Sequence, residues 1–180
     1  VRALALAVLS ALAACAGASK RVVVPETVIF DGAVAFRAAP GWARESHSFW
    51  GEDAVVLSSG THATARFHLR DGDPEKDELV VALKNAPWDA PASSPAYEVG
   101  TVLVAGKEVP LRRRSSGGIR EEPGQSPTYF TDEFCVVPLK KGFLLAVFES
   151  EDHSSPPSPD TLSARDSGWR AILASMRLSR

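Results

Sequence analysis

Two cysteines, Cys15 and Cys135, are all that the 180 residues contain, too few for a scaffold stapled by disulfides. Charge of one sign is also scarce: 20 Lys+Arg stand against 22 Asp+Glu, a formal net charge of -2 and a pI near 6.1. Phosphate backbones are held by cationic faces, so this balance excludes nucleic acid as the main partner. No apolar run reaches the roughly 20 residues that cross a bilayer. The longest, counted generously from Ala3 to Ala18, is half alanine. The sequence also lacks G-x-S-x-G, S-x-x-K, H-E-x-x-H, G-x-G-x-x-G and P-loop patterns. No catalytic residue, metal or cofactor is therefore assigned. No repeat with a period of roughly 20 to 50 residues is evident. What is present is 44% hydrophobic and 23% charged residues with 13 Gly and 13 Pro, the composition of one ordinary globular domain.

The N-terminus has the layout of a secretory signal: Arg2, an apolar core from Ala3 to Ala14 broken by Ser10, then small residues. Its end, Leu12-Ala13-Ala14-Cys15, resembles the lipobox of bacterial lipoproteins. The resemblance implies that residues 1–14 are cut away and that Cys15 becomes an acylated first residue. Two or three acyl chains hold a protein on a membrane stably where one does not. It also implies, from Ala16 rather than Asp after the cysteine, the outer membrane of a two-membrane bacterium, with the domain facing the periplasm or surface. The alternative is ordinary cleavage after a site such as Ala16-Gly17-Ala18, which releases a free protein. Residues 15–27 then form the lipidated cysteine and its tether, and residues 28–180 a single domain. Loss of residues 1–14 removes only Arg2 among the charges, so the mature chain is slightly more acidic.

From Val22 onward the pattern is mostly strands. Short apolar or alternating runs at Val22–Pro25, Val28–Phe30 and Ala33–Arg37 are punctuated by Asp31-Gly32 and Pro40-Gly41. Ala54–Ser58 and Thr61–Arg70 follow. In the latter, Ala63, Ala65, Phe67 and Leu69 point to the core while His62, Thr64, Arg66 and His68 are expected in water. Asp73-Pro74-Glu75 opens a helix predicted over Pro74–Asn85, and Pro87–Pro95 is a loop. Strands resume at Val99–Val104 and Lys107–Arg113 around Ala105-Gly106, a hairpin signal. After a Gly/Pro/Ser-rich stretch, Ser115–Pro127, come strands over Thr128–Leu139 and Gly142–Glu149. Phe143–Phe148 is apolar on both faces, as a central covered strand should be. Asp152–Pro159 is a loop, and Ser158-Pro159-Asp160 begins a closing helix whose Leu162, Trp169, Ile172, Leu173 and Met176 dock on the sheet, with Gly168 arguing against a straight rod. Strands, helix, strands, helix make an antiparallel α+β domain.

Two segments carry a further resemblance. Ala33–Trp42, ending in Pro40-Gly41-Trp42, looks like the early strand and turn of PsbP-like and DcrB-like lipoproteins, and Trp169–Arg177 is similar to their closing amphipathic helix. The resemblance, spanning about residues 28 to 178, implies an αβα sandwich with a central antiparallel sheet and two main helices. Members of that group serve in protein association and share no agreed catalytic residues.

Candidate sites are few. His62 and His68 share a strand face but lie about 20 Å apart, too far for one ion. His47, in Glu45-Ser46-His47-Ser48, and His153, in Glu151-Asp152-His153-Ser154, have acids and hydroxyls beside them, yet a triad needs convergence in space. The acidic run from Asp71 to Glu78 begins like a calcium loop but has Lys76 at the sixth position and Ala82 at the twelfth, so it reads as a turn and an acidic helix start. Arg112-Arg113-Arg114 either meets anionic headgroups or is a solvated strand end neutralised by Glu121-Glu122. Cys135, between Phe134 and Val136, reads as a buried thiol. Trp42, Trp50 and Trp88 fall in loops or turns and are the partner-binding candidates, or else caps on the ends of the sheet. The function expected is a non-catalytic, lipid-anchored envelope protein that binds a protein partner or envelope component. The alternatives are an envelope hydrolase or metal-dependent enzyme built on His47 and His153, and a small-ligand carrier with a closed apolar pocket.

Overall fold

A computed structural model describes residues 26–45, 54–59, 63–85, 95–119, 126–153, 155 and 158–179. The signal segment, Cys15, the Val22–Pro25 run, His47, Trp50, His62, Trp88 and Glu121-Glu122 lie outside them. Among the described residues, ten strands and two α-helices follow in the order β1 (Glu26–Ile29), β2 (Val34–Arg37), β3 (Trp42–Arg44), β4 (Ala54–Ser59), β5 (Ala63–Arg70), α1 (Glu78–Lys84), β6 (Tyr97–Val104), β7 (Lys107–Ile119), β8 (Thr128–Pro138), β9 (Phe143–His153), α2 (Pro159–Ala174) and β10 (Arg177–Leu178). A short 3-10 turn, Pro74–Lys76, precedes α1.

The 7-stranded antiparallel sheet has the order β3-β4-β5-β9-β8-β7-β6. β9 is central because every residue from Phe143 to Phe148 is buried, as the double-faced apolar run requires. On one face α1 sets Val80 and Leu83 against Phe134, Phe143, Leu145 and Val147. On the other, Trp169, Ile172 and Leu173 of α2, with Met176 just beyond its end, pack with Phe67, Cys135, Leu144, Ala146 and Phe148. A 3-stranded sheet, β1-β2-β10, closes that side with Ile29, Val34 and Phe36. The architecture is thus the α+β sandwich expected, with helices on both faces of an antiparallel sheet. Burying each Val, Leu, Ile, Phe or Met side chain among these contributes about 1.5–3 kcal/mol. Among the described residues no helix is long and apolar enough to cross a membrane.

Several local expectations are corrected. The first helix is not one rod over Pro74–Asn85. Asp73 caps the 3-10 turn, and Asp77, in an extended conformation, interrupts it and caps α1, accepting from the backbone N–H of Leu79 and Val80 at 3.0 Å each. β7 runs through Ser115 to Ile119, into the stretch read as a loop, because the ladder to β8 continues to Ile119↔Thr128 after a register shift at Ser116. β9 likewise reaches His153, paired with Thr128. β3 was not foreseen. α2 is continuous across Gly168, and the glycine is there for packing: a Cβ at that position would lie 2.9 Å from the indole nitrogen of Trp42.

Candidate functional site

The strand face expected to be wet is covered. Arg66 is 5% and His68 4% exposed, because β5 lies inside the sheet and its second face meets the α1 side of the domain. Arg66, His68 and Arg70 occupy alternate positions, so all three point from that face into a groove of about 730 Å³. The opposite wall comes from the 3-10 turn and the start of α1, with Asp73, Asp77 and Glu78. The walls are tied together by charge. Asp77, while capping α1, also faces Arg70 at 3.9 Å, and Arg66 is ion-paired with Glu149 of β9. Burial, with Asp132 beside it, pushes the Glu149 carboxyl above its ordinary value against the lowering pull of Arg66 and Arg114.

Further across the same face, Arg114 holds Asp132, its Nε donating at 2.9 Å. Arg114 also donates to the carbonyls of Ala82 at 3.1 Å and Asn85 at 3.5 Å. These are C-terminal carbonyls of α1, where orphan acceptors and the negative end of the helix dipole favour a cation. Arg114, Asp132, Glu149 and Arg66 therefore form a charge ladder across four strands, which positions α1 and so the groove wall. Removing the guanidinium strands a carboxylate that is only 11% exposed. Arg114→Met is expected to lower stability by about 3 kcal/mol and to speed hydrogen exchange in α1 before the central strands; equal acceleration everywhere would refute this role.

The opposite face carries a second ladder. The Nε of Arg113 donates to Oε1 of Glu133 at 2.8 Å, and the Nε of Arg170 donates to Oδ2 of Asp166 at 2.6 Å. Between these arginines the Glu133 and Asp166 carboxyl groups interact directly, and Oε2 and Oδ1 are buried with no hydrogen-bond donor among the described residues. Burial first, then Asp166, raise the Glu133 carboxyl above its ordinary value, while Arg113 lowers it. Arg113 and Arg114 are thus partly buried and ion-paired rather than solvated strand ends, and Glu121-Glu122 lie outside the described residues. Their partners are Glu133 and Asp132, adjacent residues whose side chains alternate across the sheet.

The other sequence candidates are distributed as follows. Trp42 is half-buried, its ring 6.3 Å from that of Phe148 on the α2 side, so it packs the end of the sheet rather than lining the groove. His153 is exposed at the end of β9, near Thr128 Oγ1 at 3.3 Å and Glu151 at 3.4 Å, and does not line the groove. Cys135 is buried and its thiol is pushed up to about 12, chiefly by burial, so it is not poised as a nucleophile. Among the described residues no three metal-ligating side chains cluster. The groove is open and walled by charge, unlike a closed apolar carrier pocket. It escaped the sequence reading, whose one signal was three cation-capable residues at alternate positions of β5.

No family model and no curated protein matches the chain. Among solved structures, the chain is similar to the Saccharomyces cerevisiae Ran-binding protein Mog1p, with a TM-score of 0.51, 9% identity, and coverage of 86% of this chain and 94% of that one. It is also similar to LpqN, involved in cell envelope biogenesis of Mycobacterium tuberculosis, with a TM-score of 0.43, 12% identity, and coverage of 87% and 91%. Cyanobacterial PsbP from Synechocystis follows, with a TM-score of 0.44, 9% identity, and coverage of 86% and 91%. The chain spans 48% of a Bacteroides thetaiotaomicron structure that it matches with a TM-score of 0.46 at 12% identity over 86% of its own length. The fold is accordingly one shared with Mog1p, an antiparallel sheet with a helix on each face, which is the sandwich that the resemblance at Ala33–Trp42 and Trp169–Arg177 implied.

Proposed function

We propose that this chain is a lipid-anchored protein of the bacterial cell envelope that acts by binding a protein partner, without catalysing a reaction. The observation that carries the anchor is Leu12-Ala13-Ala14-Cys15 at the end of a short apolar core. Acylated Cys15 holds the domain at the membrane through a tether that ends where β1 begins at Glu26. The binding role is supported by two facts. The fold is shared with Mog1p, a Ran-binding protein. The groove between β5 and α1 is braced by ion pairs on both walls, so its polar groups are held in place before a partner arrives, which limits the ordering cost of association. A surface of mixed charge suits another polar macromolecule better than an apolar small molecule.

Metabolic labelling of producing bacteria with a clickable fatty acid tests the anchor. The wild-type chain is expected to incorporate label and fractionate with membranes, and Cys15→Ala to lose both; an unlabelled wild-type chain overturns it. For the partner, a photo-crosslinking residue at Lys76 or Glu78, exposed on the groove wall, should capture one protein reproducibly, while the same residue at exposed Val28 on the far side captures none. Equal capture at both places refutes the groove as the binding surface.

A further inference from the structure

β6 is the terminal strand of the large sheet, and among the described residues nothing pairs with its outer edge. An edge of that kind presents a row of unpaired N–H and C=O groups, which proteins normally blunt with brevity, lysine, proline or a bulge. β3, at the other side of the sheet, is blunted by brevity, with 3 residues. β6 has 8 residues and is treated differently in its two halves. A register shift lies between Glu98 and Gly100, and Gly100 takes a φ of 127°, so the first half is bulged. From Gly100 to Val104 the strand is regular, pairing residue for residue with Leu111 to Lys107, and holds no charge and no proline. Of four large apolar residues exposed among those described, two are on this strand, Tyr97 at 51% and Leu103 at 48%. The second half is thus an unguarded template.

We infer that β6 pairs antiparallel with β6 of a second copy of the chain, joining two sheets across a two-fold axis at Val102. The register follows from the residues. An axis at Val102 sets Thr101 opposite the partner's Leu103 and Gly100 opposite the partner's Val104, with Glu98 beyond the paired run. No like charges then face each other. Moving the axis to Thr101 brings Glu98 opposite Val104 and carries the ladder into the bulge; moving it to Leu103 runs past the end of the strand into the Ala105-Gly106 turn. The inward side chains, Val102 and Val104, already belong to the α2-side core, so pairing extends that core across the axis, while Leu103 is covered by the partner's Thr101 on the other face. A two-fold contact of this kind is closed, consuming both edges and stopping at two copies. The pairing does not depend on the anchor at Cys15.

Disulfide trapping of the full chain in whole producing cells, wherever it fractionates, tests the register. Directly opposed residues of antiparallel strands have Cβ atoms about 4.5–5.5 Å apart, within a small adjustment of disulfide geometry. Thr101→Cys/Leu103→Cys is expected to run largely as a dimer on a non-reducing gel. Tyr97→Cys, equally exposed but outside the paired run, should remain monomeric, with the wild-type chain controlling for the native thiols. In a second measurement, the detergent-solubilised full chain should show twice the protomer mass by light scattering, and Leu103→Lys should halve it with an unchanged circular dichroism spectrum. A wild-type monomer at high micromolar concentration, a Leu103→Lys dimer, or equal trapping at Tyr97→Cys overturns the inference. So does a monomer whose edge is trapped on some other protein.

Discussion

Gly142→Ala is expected to destabilise the protein by about 3–5 kcal/mol, a lowering of the melting temperature by roughly 10 °C in a chain of this size. Gly142 sits in the turn between β8 and β9 with a φ of 72°, and its carbonyl accepts from the N–H of Leu139 at 3.1 Å. The left-handed backbone alone costs an L-residue about 1–2 kcal/mol. The larger part comes from the neighbouring strand: an added Cβ would lie 1.9 Å from the carbonyl oxygen of Arg70 and 2.8 Å from the Cα of Asp71. Both are backbone atoms, so relief requires β5 to separate from β9 at the pair Arg70↔Phe143, where the groove floor ends. Gly106→Ala separates the two contributions. Gly106 has a φ of 77° and nothing within 4 Å of a would-be Cβ, so its replacement should cost only about 1–2 kcal/mol. Equal losses in urea denaturation would show that Arg70 does not press on the turn.

Legibility in the sequence followed distance along the chain. Alternation placed Ala63, Ala65 and Phe67 on the core face correctly, and the double-faced run Phe143–Phe148 identified the central strand, because period and burial are written locally. The other face of β5 was misjudged since polarity alone does not reveal a partner. Arg66 is buried because Glu149, far along the chain, accepts from it. The same holds for Arg113 and Arg114: Glu121-Glu122 follow them closely in sequence, but the ion pairs the fold makes are with Glu133 and Asp132, across the β7–β8 ladder. Gly117-Gly118 and the serines before them argued for a loop, yet pairing with β8 overrode composition. Asp77 was locally readable, an acidic cap ahead of Leu79 and Val80, but was absorbed into a helix started too early at Pro74. Gly168 counted as a helix weakness because nothing in a linear text brings Trp42 to it. The groove is a product of these non-local pairings, which is why no motif announced it.

Arg113→Met is expected to cost about 3 kcal/mol at pH 7 and much less near pH 4.5. Glu133, 1% exposed, is faced by Arg113 from β7 and by Asp166 from α2, with Arg170 behind Asp166, Tyr97 of β6 near Arg113, and Cys135 next on its own strand face. Its carboxyl lies above the ordinary value of 4.5 in the folded state, so the native protein binds more protons than the unfolded one across the interval between the two values. The stability this group contributes is fully present below its unfolded value and is lost as pH rises through the folded one. The guanidinium of Arg113 limits that loss by stabilising the charged form. Without it the folded value moves further up, the interval widens, and the deficit of the variant grows with pH. Urea denaturation at steps between pH 4.5 and pH 8 reads this as a steeper fall for Arg113→Met than for wild type. Glu133→Gln should flatten the profile, since its amide donates to Asp166 and cannot ionise, and Arg113→Met/Glu133→Gln should recover most of the loss at pH 7. A deficit for Arg113→Met that is the same at every pH would mean that the arginine supports α2 through the packing of its stem and not through the charge of Glu133.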